Sequence, residues 1–277
     1  MRVKFWGVRG SIPVPGASSL RYGGNTPCVT VELSHGPLVV LDAGTGIREL
    51  GEALNRRDEP ADLILLLSHG HWDHIQGFPF FSPAYRPSTK IDVRGCPTET
   101  EHLRRMLSDV MEQVHFPVPL ESLSARITYL RLSEEWQELG TGRVLPIPTN
   151  HPGGGHGYRI EEDGKSLVYL TDNELPADPS ASQRFVDAAR SADILIHDSQ
   201  YTDEELARYR GWGHSSIEQS VRLACAADVR ILYLFHHDPD RSDEEIDRLL
   251  ASARELAANL NPHVEVRAAA EGDEVDA

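Results

Sequence analysis

The stretch Leu63–Phe81, LILLLSHGHWDHIQGFPFF, constrains this chain more than any other. An unbroken apolar run reads as a strand buried on both faces, and such strands ordinarily close on turn residues. This one breaks instead into Ser68, His69, Gly70, His71, Trp72, Asp73 and His74. Polar side chains at the rim of a core cost free energy unless something satisfies them, and a metal cation would satisfy imidazoles and a carboxylate together. His69 and His71 are two residues apart, so an extended backbone points both the same way. Asp73 and His74 follow where a helix is expected to begin and turn toward the same point from another direction. Three imidazoles with one carboxylate suit Zn, Mn or Fe.

A metal site must recruit ligands from elsewhere in the chain. His151 follows VLPIPTN, Asp172 follows SLVYLT and His236 follows VRILYLF. Each comes directly after an apolar run, where a packed scaffold can hold a side chain over the rim of its sheets.

The rest of the chain alternates strand and helix patterns. CVTVEL and PLVVLDAG flank an SHG turn and read as a hairpin, and DLILLL and KIDVRG read as further strands. TETEHLRRMLSDVMEQ reads as a helix with Thr98 as its N-cap and Glu101 at the capping-box spacing. ARITYL, GRVLPIPT and GYRIEEDGKSLVYLTD are again β, the last folding back at Asp163-Gly164. Helical patterns (SQRFVDAAR, TDEELARY, SIEQSVRLACAA, SDEEIDRLLASARELAANL) then interleave with the short buried strands ADILIHD and VRILYLFHH. The expectation is an α/β fold in which two sheets pack face to face under outer helices, as one domain over residues 1–270, with an acidic, flexible tail at 271–277.

With 27 Lys+Arg against 43 Asp+Glu, the net charge of -16 argues against gripping an extended nucleic acid or an anionic membrane. A small, locally bound substrate is expected instead. No segment approaches the roughly 18 apolar residues of a membrane span, and MRVKFWGVRGSIPVPG has no signal-like apolar core. Cys28, Cys96 and Cys225 form no CxxC pair and read as reduced thiols of a cytoplasmic protein.

His-x-His-x-Asp-His after a strand, with later His, Asp and His at strand ends, resembles the metallo-β-lactamase fold, a four-layer αβ/βα sandwich with metals at one edge. ILIHDSQY followed by GWGHSSIEQS resembles its phosphodiesterase branch, which includes RNase Z and phosphoribosyl cyclic phosphate phosphodiesterase. That resemblance implies two divalent ions, Zn first and Mn or Fe next. His69, His71 and His151 would hold one, Asp73, His74 and His236 the other, and Asp172 would bridge them. It implies attack on a small cyclic or linear phosphodiester, with nucleotides among the candidates, by a hydroxide shared between the ions. His214 would be the general acid, Asp198 its orienting carboxylate, and Asp73 would count with the catalytic set. Members of the branch are often homodimers. RNase Z carries an inserted arm that grips transfer RNA, and this sequence has no basic, Gly-Pro-rich insertion of that kind.

Neighbouring residues have two readings each. His237 and His197 adjoin site residues but alternate away from them. Asp42, in LDAGTG, either hydrogen-bonds a ligating histidine or caps its turn. Glu174 either faces the pocket or is an exposed loop carboxylate, and His156 reads as a loop residue. Ser11 and Asn25, in glycine-rich stretches, are candidate substrate contacts. Arg86, with Lys90, lies in a Pro79–Leu123 segment read as a lid or dimer surface. A lactonase or other esterase, an iron-dependent redox enzyme and a non-catalytic scaffold are the competing readings. A scaffold is disfavoured by the full set of seven ligand candidates.

Overall fold

The computed structural model describes residues 1–57, 59–96 and 100–277, the side chains of Pro179 and Ser180 apart. The expected Thr98 cap lies outside the described residues. The first sheet contains β1 (Arg2–Gly7), β2 (Cys28–Glu32), β3 (Leu38–Leu41), β4 (Asp62–Leu66), β5 (Lys90–Gly95) and β6 (Arg126–Arg131). The second contains β7 (Gln137–Leu139), β8 (Gly142–Thr149), β9 (Gly155–Glu162), β10 (Lys165–Leu170), β11 (Ile194–Asp198), β12 (Ile231–Phe235) and β13 (Glu265–Ala268). A last strand, β14 (Glu274–Asp276), returns to the first sheet beside β1, so the strand orders are β14-β1-β2-β3-β4-β5-β6 and β13-β12-β11-β10-β9-β8-β7.

The inward face of each strand supplies the central core. Phe5, Val31, Leu41, Ile64 and Leu66 meet Tyr158, Tyr169, Ile196 and Phe235 between the sheets. The outer faces are covered by helices. On the first sheet these are α1 (Ile47–Asn55), the short α2 (Trp72–Ile75) and α3 (Thr100–Val110); on the second they are α4 (Gln183–Ala189), α5 (Asp203–Tyr209), α6 (Ile217–Ala226) and α7 (Asp243–Leu260). Three of these helices start with reciprocal capping boxes, Thr202/Glu205, Ser216/Gln219 and Ser242/Glu245, which satisfy otherwise orphaned N–H groups. The β9–β10 hairpin turns at Asp163 and Gly164, with φ of 49° and 77°, the positive values that a two-residue type I′ turn requires.

Residues 271–277 correct the expectation of a flexible tail. Val275 pairs with Val3, the Lys4 ammonium lies 2.7 Å from the Glu274 carboxylate, and Glu271 accepts hydrogen bonds from Asn25. Acidity alone would have kept this segment in water, but an open sheet edge with a facing cation gives its backbone and charges partners. Strands β1 and β13 and helix α1 also carried no sequence expectation, because each alternation is short.

Strands β3 to β6 run parallel, as do β10 to β13. Their C-terminal ends therefore lie on one rim, where crossover loops emerge and ligands bind in open α/β sheets. Lys90 pairs with Asp62 at the start of β5, at the other end of the sheet. Arg86 precedes that start and donates to Asn55 at the end of α1. Neither is among the residues that line the cleft beside the rim. The Pro79–Leu123 segment instead contributes α3 and aromatic residues to the wall of that cleft.

Candidate metal centre

Seven side chains from four chain segments converge on the rim. His69, His71, Asp73 and His74 come from the loop after β4 and the start of α2; His151 follows β8, Asp172 follows β10 and His236 follows β12. Ligand atoms of His69, His71, His151 and Asp172 lie within 4.8 Å of one another, and so do those of Asp73, His74, Asp172 and His236. Asp172 belongs to both groups. Its Oδ1 lies 3.0 Å from His74 Nε2 and 3.2 Å from His236 Nε2, while Oδ2 lies 3.6 Å from both His69 Nε2 and His151 Nε2.

The hydrogen bonds around this cluster determine which nitrogen each imidazole turns inward. Asp42, fully buried at the end of β3, accepts from the Ser68 amide and hydroxyl, from Tyr169 Oη and from His74 Nδ1, at 2.7 to 2.8 Å. His74 Nδ1 thus carries the proton and Nε2 is left for the site. Ser68 Oγ, whose own proton goes to Asp42, accepts from His69 Nδ1 at 3.0 Å and leaves His69 Nε2 bare. His151 Nδ1 donates to the Gly213 carbonyl, and His236 Nδ1 donates to Gln200 Oε1, each at 3.0 Å. An acceptor behind His69, His74, His151 and His236 is the arrangement that orients metal ligands, whereas His71 Nδ1 lies 2.9 Å from His151 Nε2.

The fit to cations can be read from the polar atoms left over. His69 Nε2 is buried without a hydrogen-bond partner, which costs about 1–3 kcal/mol unless a ligand compensates, and His74 Nε2 faces the carboxylates of Asp73 and Asp172. Burial opposes ionisation of Asp73 and Asp172. Nearby imidazoles outweigh it and hold both carboxyls below their usual range, His74 and His236 acting on Asp73 and His236, His74 and His69 on Asp172. Burial also disfavours a charged His74, yet Asp172, Asp73 and Asp42 overcome it and raise its pKa. Burial, with the neighbouring imidazoles, holds His69 and His151 below the usual histidine range, which keeps them neutral donors. Five imidazoles and two carboxylates suit divalent transition ions.

Local strain accompanies the site. Ser11, Asp42, Asp172 and His236 all have positive φ, between 47° and 64°. Left-handed non-glycine residues cost about 1–3 kcal/mol each and persist where surrounding contacts over-determine them. No pattern in the sequence signals this. Gly10 leaves room for the histidine: a Cβ there would lie 2.4 Å from His236 Nδ1.

The structure brings a second pair to the same rim. Asp198, at the end of β11, accepts from His214 Nδ1 at 2.6 Å through Oδ2, and through Oδ1 from the amides of Gln200 and Ser215. The His214 ring stacks on His236 with centroids 5.0 Å apart and meets His151 edge-on at 5.3 Å. Burial lowers the His214 pKa, but Asp198, with smaller help from Asp172 and Asp73, more than reverses this and raises it to about 9. The loop that delivers His214 is held by Glu174, whose Oε2 accepts from the amides of Gly211 and Gly213. Gly213 has φ of 91°, and a Cβ there would sit 2.0 Å from His151 Nδ1. Glu174 is thus neither a pocket group nor a free loop carboxylate.

Other expected residues fall elsewhere. The Ser11 side chain is exposed, and its contribution is its backbone N–H, which donates to Asp73 Oδ2 at 2.8 Å. Asn25 donates to Glu271 through its backbone and side-chain amides and accepts from the Thr45 hydroxyl, which ties it to the C-terminal segment and the start of α1. Buried His237 lies 2.9 Å from the Ala269 carbonyl through Nε2, and buried His197 bonds to Ser220 and the Asp198 carbonyl. Both are structural. Gln200 was missed, since an amide two residues beyond a strand carries no signal without its partner. Asp42→Asn is expected to weaken metal affinity about 10–100-fold, because the charge orienting His74 and, through Ser68, His69 is lost. Competition against a chromophoric chelator measures it, and unchanged affinity would contradict this role.

A family model described as a beta-lactamase superfamily domain matches residues 38–237, a span running from β3 to His237 and enclosing every residue of both clusters. The chain belongs to the β-lactamase superfamily. Its metallo-β-lactamase fold is shared by YhfI of Bacillus subtilis, a solved structure with TM-score 0.73, 18% identity and coverage of 100% of this chain and 98% of that one. A solved diphosphatase from the PhnP family has TM-score 0.70 and 22% identity, covering 100% and 97%. Ribonuclease Z of Thermoplasma acidophilum is 27% identical over 297 residues, spanning 92% of this chain and 91% of its own. Among the described residues no helix of this superfamily member is long and apolar enough to cross a membrane.

Proposed function

We propose that this metallo-β-lactamase-fold hydrolase is a phosphodiesterase acting on a small cyclic or linear phosphodiester. The observation that carries the reading is the Asp198–His214 pair, which presents a proton donor beside the ligand cluster. His69, His71 and His151 would hold one divalent ion, and Asp73, His74 and His236 the other, with Asp172 between them. When bound, such ions supply Lewis acidity toward a phosphoryl oxygen and lower the pKa of a coordinated water. The donor set suits Zn first, with Mn or Fe as alternatives.

The chain's own residues then account for the step that ions do poorly. An alkoxide leaving group departs with difficulty unless it is protonated. His214 Nδ1 donates to Asp198, so the opposite nitrogen, Nε2, can hand a proton to that oxygen. Asp198 keeps the ring oriented and stabilises its charged form. Ions held by Asp73 and Asp172 would cancel the help those carboxylates give His214, leaving Asp198 as its main support. Asp73 is itself fixed by the Ser11 amide, so its other oxygen keeps a defined direction. The ribonuclease and the diphosphatase among the relatives point, by name, to phosphate esters. A net charge of -16 favours a small substrate over extended nucleic acid, and three free thiols suit a reducing cytoplasm.

Metal-loaded protein is expected to hydrolyse bis(p-nitrophenyl) phosphate, read as nitrophenolate release. Protein of full metal content that leaves this diester intact while opening lactones would sink the proposal.

A further inference from the structure

The metal-ligand segment contains an exposed tryptophan that neither cluster uses. Trp72 stands between His71 and Asp73, yet is 71% exposed. Its ring meets His115 edge-on, with centroids 6.4 Å apart. It faces a cleft of about 1270 Å³ that runs from Ser68 and His69 along α3. Farther along, Phe80 is 58% exposed and meets Phe116 edge-on at 5.4 Å. Gly153 and Gly154 line the facing side, and a Cβ at either would have nothing within 4 Å.

The charges in this cleft exclude one class of occupant. Its formally charged lining is Arg105 against Asp109 and Glu112. One cation between two carboxylates gives no surplus positive charge for a second phosphate. What the walls offer are aromatic faces left in water and an open slot over glycine backbone. Water-exposed aromatics beside a reaction centre gain free energy by covering a flat apolar group.

We infer that this cleft seats an uncharged planar ring on one ester group of the substrate, stacked against Trp72, with Phe80 and Phe116 bounding the far end. The inference rests on the phosphodiesterase reading and narrows its substrate to aryl or base-like esters.

The test compares phenyl p-nitrophenyl phosphate with methyl p-nitrophenyl phosphate, which differ only in the ring. Wild-type protein should favour the phenyl ester in kcat/KM by about tenfold, the factor corresponding to about 1.4 kcal/mol. Trp72→Ala should bring that ratio close to one, and Phe80→Ala should lower it less. A ratio unchanged in both variants overturns the assignment. If metal-loaded protein cleaves neither ester, the reaction reading fails, but the cleft is still tested by binding. Phenyl phosphate should then quench the part of the tryptophan emission that Trp72→Phe removes, and methyl phosphate should not. Equal response to both phosphates, or none to either, overturns the cleft assignment as well.

Discussion

Asp172→Ala is expected to strip the protein of bound metal and to lower phosphodiester hydrolysis by about 10³-fold or more. Asp172 is the only residue common to both ligand groups, with one oxygen toward His74 and His236 and the other toward His69 and His151. Several kcal/mol of transition-state stabilisation depend on a metal site, and each 1.36 kcal/mol is tenfold in rate. The substitution has a second consequence, because φ at this position is 47° and alanine tolerates the left-handed region worse than aspartate. Asp172→Asn separates the two effects, since asparagine keeps the shape and the backbone preference and loses only the charge. Metal content by elemental analysis and activity should fall in both variants. Asp172→Asn protein with two equivalents of metal and wild-type turnover would overturn the bridging role.

His214→Ala is expected to behave differently, keeping its metal while losing about 10²–10⁴-fold in rate on diesters with alkyl leaving groups, the usual contribution of general acid catalysis. On p-nitrophenyl esters the loss should be much smaller, because nitrophenolate departs with little help. The pH profile gives an independent readout. Activity of the wild type on an alkyl ester should be present while His214 is protonated and decline as pH rises through its elevated pKa. That alkaline decline should be missing from the variant. Equal losses on alkyl and nitrophenyl esters would assign His214 a merely structural role.

How far the sequence carries can be judged from particular residues. His69 and His71 were readable as one-sided because a strand repeats every two residues, and Asp73 and His74 because a helix turns them back. His151, Asp172 and His236 were readable because each ends an apolar run. Asp42 was ambiguous for a physical reason: its partners lie 26, 32 and 127 residues away, and local spacing contains no record of them. Glu174 looked exposed because the loop whose amides it binds arrives 37 to 39 residues later. The tail looked disordered because its composition carries no information about the free edge of β1.

By itself, then, the sequence determined periodicity, strand and helix order and the donor types gathered at strand ends, all properties of short windows. The tertiary structure decided which nitrogen of each histidine faces inward, which residues take left-handed backbone, and where the cleft opens. Those outcomes depend on contacts between segments far apart in the chain, and only closure of the two sheets brings their C-terminal ends to one rim.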